Sequence, residues 1–118
     1  LALRPSGAFH STVLDLAKWD RVLDGDTVLK PSSRKELWTR IRLNDGSTHD
    51  YGLGWAVTAK GGRDMIRHGG SQSGFRTEYL RFPKERVTVI VLANADEAKP
   101  AVFAERVAEL FLPATPKQ

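Results

Sequence analysis

The apolar residues of the first forty positions recur with the spacing of amphipathic helices. Thr12 and Asp15, three residues apart, form a capping-box pattern, and Gly25 is a typical helix stop. Between them lies an apolar stripe with helical spacing: Leu16, Trp19, Val22 and Leu23. This pattern predicts a first helix over residues 12–24. A proline followed by further periodic apolar residues predicts a second helix over residues 31–42.

From residue 51 onward the apolar period becomes that of β-strands. Four segments are predicted as strands: YGLGWAVT at 51–58, DMIRH at 64–68, FRTEYLRF at 75–82 and RVTVIVLAN at 86–94. In the first of them, small residues alternate with bulky ones, which indicates a close approach of another chain segment or a ligand. The unbroken apolar run at 89–92 predicts a strand buried on both faces. Short connections favour antiparallel pairing.

A last helix is predicted over residues 98–112, with residues 112–118 as a flexible tail. Its apolar stripe is expected to cover the sheet and consists of Val102, Phe103, Val107, Leu110 and Phe111. The fold class that follows is α+β. An antiparallel sheet of about four strands carries two N-terminal helices and a C-terminal helix packed on it. We expect residues 1–118 to form a single unit.

The composition excludes several classes of function but does not identify one. The chain has 118 residues, of which 41% are hydrophobic and 27% are charged, and it has no cysteine, so thiolate chemistry and cysteine metal sites are excluded. No window approaches 18 consecutive apolar residues, so no membrane span is predicted. The net charge of +4 is spread along the chain without basic runs, which argues against nucleic-acid binding. His10 and His49 have no partners at ligand spacing, and no metal is predicted.

Candidate chemistry is concentrated in RHGGSQSGF, residues 67–75. A histidine at the end of a predicted strand is followed by almost no side-chain bulk. By itself the pattern is more typical of a polar turn, and it is also compatible with one wall of a catalytic site that a flat substrate approaches.

Several stretches, read in order, resemble a known family. They are GAFHSTVLDLAKW, YGLGW, RHGGSQSGF, a proline turn and VTVIVLAN, and together they cover residues 7–94. This set resembles the second half of the serine β-lactamase-like family, which includes class C β-lactamases, penicillin-binding DD-peptidases and related esterases. The resemblance implies a partial β-lactamase-like fold, hydrolysis of a β-lactam, peptide or ester through an acyl-enzyme, and no cofactor.

The resemblance also implies site residues. His68-Gly69-Gly70 matches the third family motif, Lys-Thr-Gly or His-x-Gly. His68, Gly70 and Ser71 are the implied catalytic groups. His68 would hydrogen-bond near the nucleophile, and the backbone N–H of Ser71 would contribute to the oxyanion hole. Gly69, Gly70 and Ser73 are the implied substrate-binding residues.

The nucleophile of this family stands in a Ser-x-x-Lys motif, and the chain contains one such match, Ser32 to Lys35. Seven serines and seven lysines in 118 residues give about 0.4 matches by chance, so the match carries little weight. Its surroundings, KPSSRKELWTR, are too charged for a buried catalytic helix. No Tyr-x-Asn or Ser-x-Asn second motif occurs.

We therefore expect the chain to be the C-terminal fragment of a longer serine hydrolase, without acylating activity alone. The opening LALRPSG is typical of the middle of a domain. The alternative is a non-catalytic ligand- or peptidoglycan-binding module on the same scaffold. Acyl substrates would be bound through the full-length protein. A strand edge or apolar face left by a missing N-terminal half would favour self-association. The sequence does not indicate the cellular compartment, although relatives are often exported to the periplasm or beyond.

Overall fold

The computed structural model describes residues 6–7 and 9–114. The beginning of LALRPSG and the last four residues of the predicted tail lie outside the described residues. The elements, in chain order, are α1 (Val13–Asp24), α2 (Pro31–Leu37), β1 (Ile41–Arg42), β2 (Thr48–His49), β3 (Ala56–Lys60), β4 (Arg63–Gln72), β5 (Phe75–Phe82), β6 (Val87–Ala93) and α3 (Pro100–Phe111). β3, β4, β5 and β6 form one antiparallel sheet in that order, and β1 pairs with β2. The predicted α+β fold with four sheet strands is confirmed.

The first helix begins where its capping pattern places it. The Thr12 hydroxyl accepts the backbone N–H of Asp15 at 3.1 Å and donates to the Asp15 carboxylate at 3.0 Å. At the other end, Arg34 of α2 donates to the carbonyls of Asp24 and Gly25 at 3.0 and 2.7 Å. A side chain of α2 therefore satisfies the terminal carbonyls of α1 and joins the two helices.

The region from residue 37 to residue 55 differs from its prediction. α2 ends at Leu37 rather than near residue 42, and strand β3 begins only at Ala56. The cause is a close backbone approach: Leu53 donates to the Leu37 carbonyl at 3.0 Å, and a Cβ on Gly52 would collide with that same carbonyl. Gly54, with φ of +78°, then turns the chain into β3. The small residues of YGLGW thus accommodate the chain's own backbone.

Helix α3 covers one face of the sheet with its small residues. Ala104 and Ala108 are completely buried and pack against Met65, Leu80 and Phe82. The predicted stripe is wrong as the contact face, because most of its members point outward: Val102 is 50% exposed, Phe103 60%, Leu110 81% and Phe111 70%.

Ion pairs also join α3 to the sheet in this orientation. Glu105 accepts from Lys60 of β3 at 2.7 Å and from Arg67 of β4 at 3.0 Å. The hydrogen bond from Lys60 is the main reason that the pKa of Glu105 lies below its ordinary value. Glu105 follows the buried Ala104 directly, so these ion pairs fit the orientation in which the alanine face turns inward and the bulky stripe turns outward. Leu112, the first residue of the predicted tail, also packs against the core.

β6 is an edge strand of this sheet, since β5 is its only partner among the described residues. Val87, Val89 and Val91 face the α3 core, but Leu92 is 38% exposed and the rest of the strand is only partly buried. The prediction of burial on both faces is therefore wrong for this chain. No helix among the described residues has the length and apolarity that a membrane span requires.

Candidate functional site

A cleft of about 350 Å³ opens on the face of the sheet opposite α3. It lies between α1, the loop before β3, and strands β4, β5 and β6. Most of its wall is apolar or aromatic, and His68 contributes an ionisable group at the lining. The lining residues are Leu16, Trp19, Gly54, Trp55, His68, Thr77, Glu78, Tyr79, Ile90 and Leu92.

His68 stands on β4 directly across from Tyr79 of β5. The ring of Tyr51 meets the imidazole edge-on, with centroids 6.4 Å apart. The pairing of β3 with β4 ends at Arg67, one residue before the histidine. From His68 to Gln72, therefore, the outer edge of β4 carries no partner strand within the described residues. A free strand edge presents backbone N–H and C=O groups that an extended ligand can pair with.

The two glycines after His68 occupy opposite faces of β4, because residues alternate along a strand. Gly70 shares the cleft face with His68, and a Cβ there would collide with the Oγ1 of Thr77. Gly69 faces α3, and a Cβ there would come to 3.2 Å from a carboxylate oxygen of Glu78. Each glycine thus leaves room for a cross-strand neighbour of the same chain.

The two serines of the motif lie toward the end of the β4–β5 hairpin. Ser71 pairs with Arg76 in the ladder and is exposed. Ser73 lies in the turn with Gly74, whose φ is +79°. Neither serine side chain is part of the cleft lining. Any contribution of Ser71 to the site would therefore come from its backbone.

A buried ionic cluster holds α1 against the sheet at the cleft, and the sequence reasoning missed it. Arg81 of β5 is only 2% exposed, and its Nε lies 2.8 Å from Asp20 Oδ1 as an ion pair without hydrogen-bond alignment. Its Nη2 lies 2.5 Å from Asp24 Oδ1. The guanidinium also lies over the ring of Trp38, 4.8 Å from its centroid. The acidic pair at i and i+4 on α1 was the available signal for this cluster.

The same cluster fixes Tyr79, the cross-strand neighbour of His68. Its hydroxyl donates to Asp20 Oδ1 at 2.8 Å, and the ring of Trp55 packs edge-on against it at 5.1 Å. Burial, reinforced by the hydrogen bond to the Asp20 carboxylate, raises the pKa of Tyr79 far above its ordinary value. Tyr79 is therefore a neutral, fixed part of the cleft wall.

On the α3 side, a second ionic cluster supports the strand that carries His68. Arg67 donates to Glu78 at 2.8 Å, and Glu78 is only 4% exposed. Although burial opposes its charge, the carboxylates of Glu78 and Glu105 together raise the pKa of Arg67. Residues 67 and 78, which flank the His68–Tyr79 pair, are thus fixed from the α3 side of the sheet.

Other candidate residues lie away from the cleft. Ser32 and Lys35 are exposed on the short helix α2 and take no part in the lining. His10 and His49 are exposed as well. Among the described residues, no group of histidine and acidic side chains could hold a metal ion.

Comparison with known proteins identifies the family. A family model described as Beta-lactamase matches residues 2–112. The chain is 32% identical to penicillin-binding protein 4* of Bacillus subtilis (strain 168) over 97 residues, which are 80% of this chain and 21% of that protein. It is 31% identical to a D-aminopeptidase of Gluconobacter oxydans (strain 621H) over 91 residues, 77% of this chain and 17% of that protein. The chain spans about a fifth of the length of these curated relatives.

Proposed function

The chain belongs to the β-lactamase family of serine hydrolases, and from this premise we propose that it supplies one wall of an acyl-transfer site. Residues 1–118 form the C-terminal part of the hydrolase domain. The nucleophile and its base come from family segments that these residues do not contain. The exposed position of Ser32, away from the cleft, supports this division.

One observation carries the proposal: among the described residues the edge of β4 has no partner strand from His68 to Gln72, and His68, at the start of this edge, lines the cleft. An acyl substrate with an extended backbone can lie along this edge and pair with it. The exposed backbone at Gly69 and Gly70 leaves that approach open, and Ser73 lies at its far end.

In this site, His68 donates a hydrogen bond to the substrate or to the proton network of the nucleophile. The backbone N–H of Ser71 stabilises the negative charge that develops on the carbonyl oxygen. The nucleophilic serine attacks the carbonyl carbon, the leaving group departs, and water releases the acyl group from the serine. These groups require no cofactor. A β-lactam, a peptide and an ester all present the same flat carbonyl, so each is a candidate substrate.

Covalent labelling tests the proposal. The full-length hydrolase that carries this chain should be labelled by a fluorescent penicillin or an acyl phosphonate, and the 118-residue chain should not. We expect His68→Ala to lower the acylation rate constant of the full-length protein about 100-fold. The matched control is His49→Ala, which removes an exposed histidine outside the cleft. An unlabelled full-length protein that still binds peptidoglycan fragments would favour the non-catalytic binding module instead.

Self-association is a second property that we propose for the chain. The edge of β6 and the outward stripe of α3 are both apolar and uncovered within the described residues. We expect light scattering to give a mass above the 13.1 kDa of one chain. A lysine discourages pairing at a strand edge, so Leu92→Lys should restore the monomer if β6 is the contact. Leu110→Lys should restore it if α3 is the contact. A monomer at millimolar concentration would contradict the proposal.

A further inference from the structure

Among the residues that the structure describes, the end of β4 that carries the candidate site has a neighbouring strand on one side only. β3 pairs with β4 as far as Arg67, and β5 is the only described strand that pairs with the residues beyond it, from His68 to Gln72. The hairpin turn at Ser73 and Gly74 closes this projecting end. A strand end with one partner frays more readily than one with two, so its position depends on what holds the turn.

Asp96, in the loop that follows β6, holds that turn. Both of its carboxylate oxygens accept the backbone N–H of Gly74, at 3.0 and 3.1 Å. One of them also lies 2.9 Å from Nη2 of Arg76. Through Nη1, Arg76 donates to the carbonyls of Gln72 and Phe75 at 2.6 and 2.9 Å. A carboxylate and a guanidinium thus join both sides of the turn to a separate loop through charge-assisted hydrogen bonds.

We propose that Asp96 is a positioning residue for the acyl-transfer site, an inference that rests on the function proposed above. Its carboxylate keeps the β4–β5 hairpin in one position, and with it the backbone of Ser71 and the unpaired edge from His68 onward. Asp96 is not part of the cleft lining, and its hydrogen bonds and ion pair reach Gly74 and Arg76, so it acts through the hairpin. Its side chain is 53% exposed, so its loss should alter the geometry of the site more than the stability of the fold.

The size of the effect follows from the geometry that acyl transfer needs. An oxyanion donor works only within hydrogen-bond distance of the reacting oxygen. A misplacement of about 1 Å can lower a rate about 100-fold. We therefore expect Asp96→Ala to lower the acylation rate constant of the full-length protein by about tenfold to 100-fold. Asp96→Asn retains an acceptor oxygen for Gly74 and loses only the charge, so its rate should be intermediate.

The matched control is Asp45→Ala. Asp45 also accepts the backbone N–H of a turn residue, Ser47, at 2.9 Å, but in the β1–β2 hairpin outside the cleft lining. The two alanine variants should melt at similar temperatures, and only Asp96→Ala should acylate slowly. An Asp96→Ala protein that acylates at the wild-type rate, or slows only in proportion to its unfolded fraction, would overturn the inference.

Amide hydrogen exchange of the 118-residue chain separates this inference from the proposed function. Asp96→Ala should speed exchange at Gly74 and Phe75 by about tenfold or more and leave β6 unchanged. Unchanged exchange at Gly74 would show that Asp96 does not hold the β4–β5 turn, and would overturn the inference. If the wild-type full-length protein does not acylate at all while exchange at Gly74 responds, the proposed function fails, and with it the catalytic role of Asp96.

Discussion

Asp20→Ala is expected to lower the free energy of unfolding by about 3 kcal/mol, because it removes the carboxylate that pairs with the buried Arg81. The same carboxylate accepts the Tyr79 hydroxyl, so the change leaves a buried guanidinium and a half-buried hydroxyl without that partner. Desolvated charges are stabilised mainly by their partners, which is why one substitution has so large an effect. Chemical denaturation of the 118-residue chain measures it.

Asp24→Ala is the matched control, because Asp24 pairs with the same guanidinium but its side chain is 58% exposed. Its loss should cost about 1 kcal/mol or less. Adding Arg81→Met to Asp20→Ala should recover part of the loss, since the unpaired cation is then gone. Equal effects of Asp20→Ala and Asp24→Ala would contradict the assignment of Asp20 as the principal partner.

Gly70→Ala is expected to destabilise the fold by about 2 kcal/mol, since the new methyl group would overlap Oγ1 of Thr77 across the ladder. The side chain of Thr77 is β-branched and has few alternative rotamers, so it yields poorly. Gly69→Ala should have a smaller effect, because its methyl group meets only the carboxylate end of Glu78 at 3.2 Å. Thermal or chemical denaturation of the two variants compares them.

A double variant tests whether Gly70 is needed only for packing or also for substrate access. In Gly70→Ala/Thr77→Ala the overlap disappears, and we expect stability at or above that of Thr77→Ala. If the glycine also leaves room for a substrate, the full-length double variant should still acylate slowly despite its recovered stability. A double variant that is as unstable as Gly70→Ala would show that the clash with Thr77 is not the cause.

Local patterns were sufficient for much of the fold. The capping residues of α1 predicted its first turn, and the alternation of FRTEYLRF predicted β5 over the residues that it occupies, 75–82. These signals lie within a few residues of the structure that they specify. The family motif RHGGSQSGF was also readable, because His68 and the glycines are adjacent in the chain.

Errors arose wherever a distant contact outweighed the local pattern. The bulky stripe of α3 has the helical spacing of a core face, but the helix packs on the sheet through Ala104 and Ala108, and ion pairs of Glu105 with two strands fit that orientation. YGLGW alternates like a strand, but the close approach of Gly52 to the end of α2 prevents an extended pairing there. In both cases the deciding partner lies far away in sequence.

By itself, the sequence determined the three helices, the four strands of the main sheet, the family and the strand that carries His68, since helical caps, apolar periods and motifs act over short distances. Only the tertiary structure decided how that strand is held. The pairing of Asp20 with Arg81 joins positions about sixty residues apart, and Asp96 reaches the turn at Gly74 from another loop. A local pattern such as the acidic spacing on α1 does not specify the partner in these pairs, because an exposed and a buried aspartate look alike until the chain has folded around them.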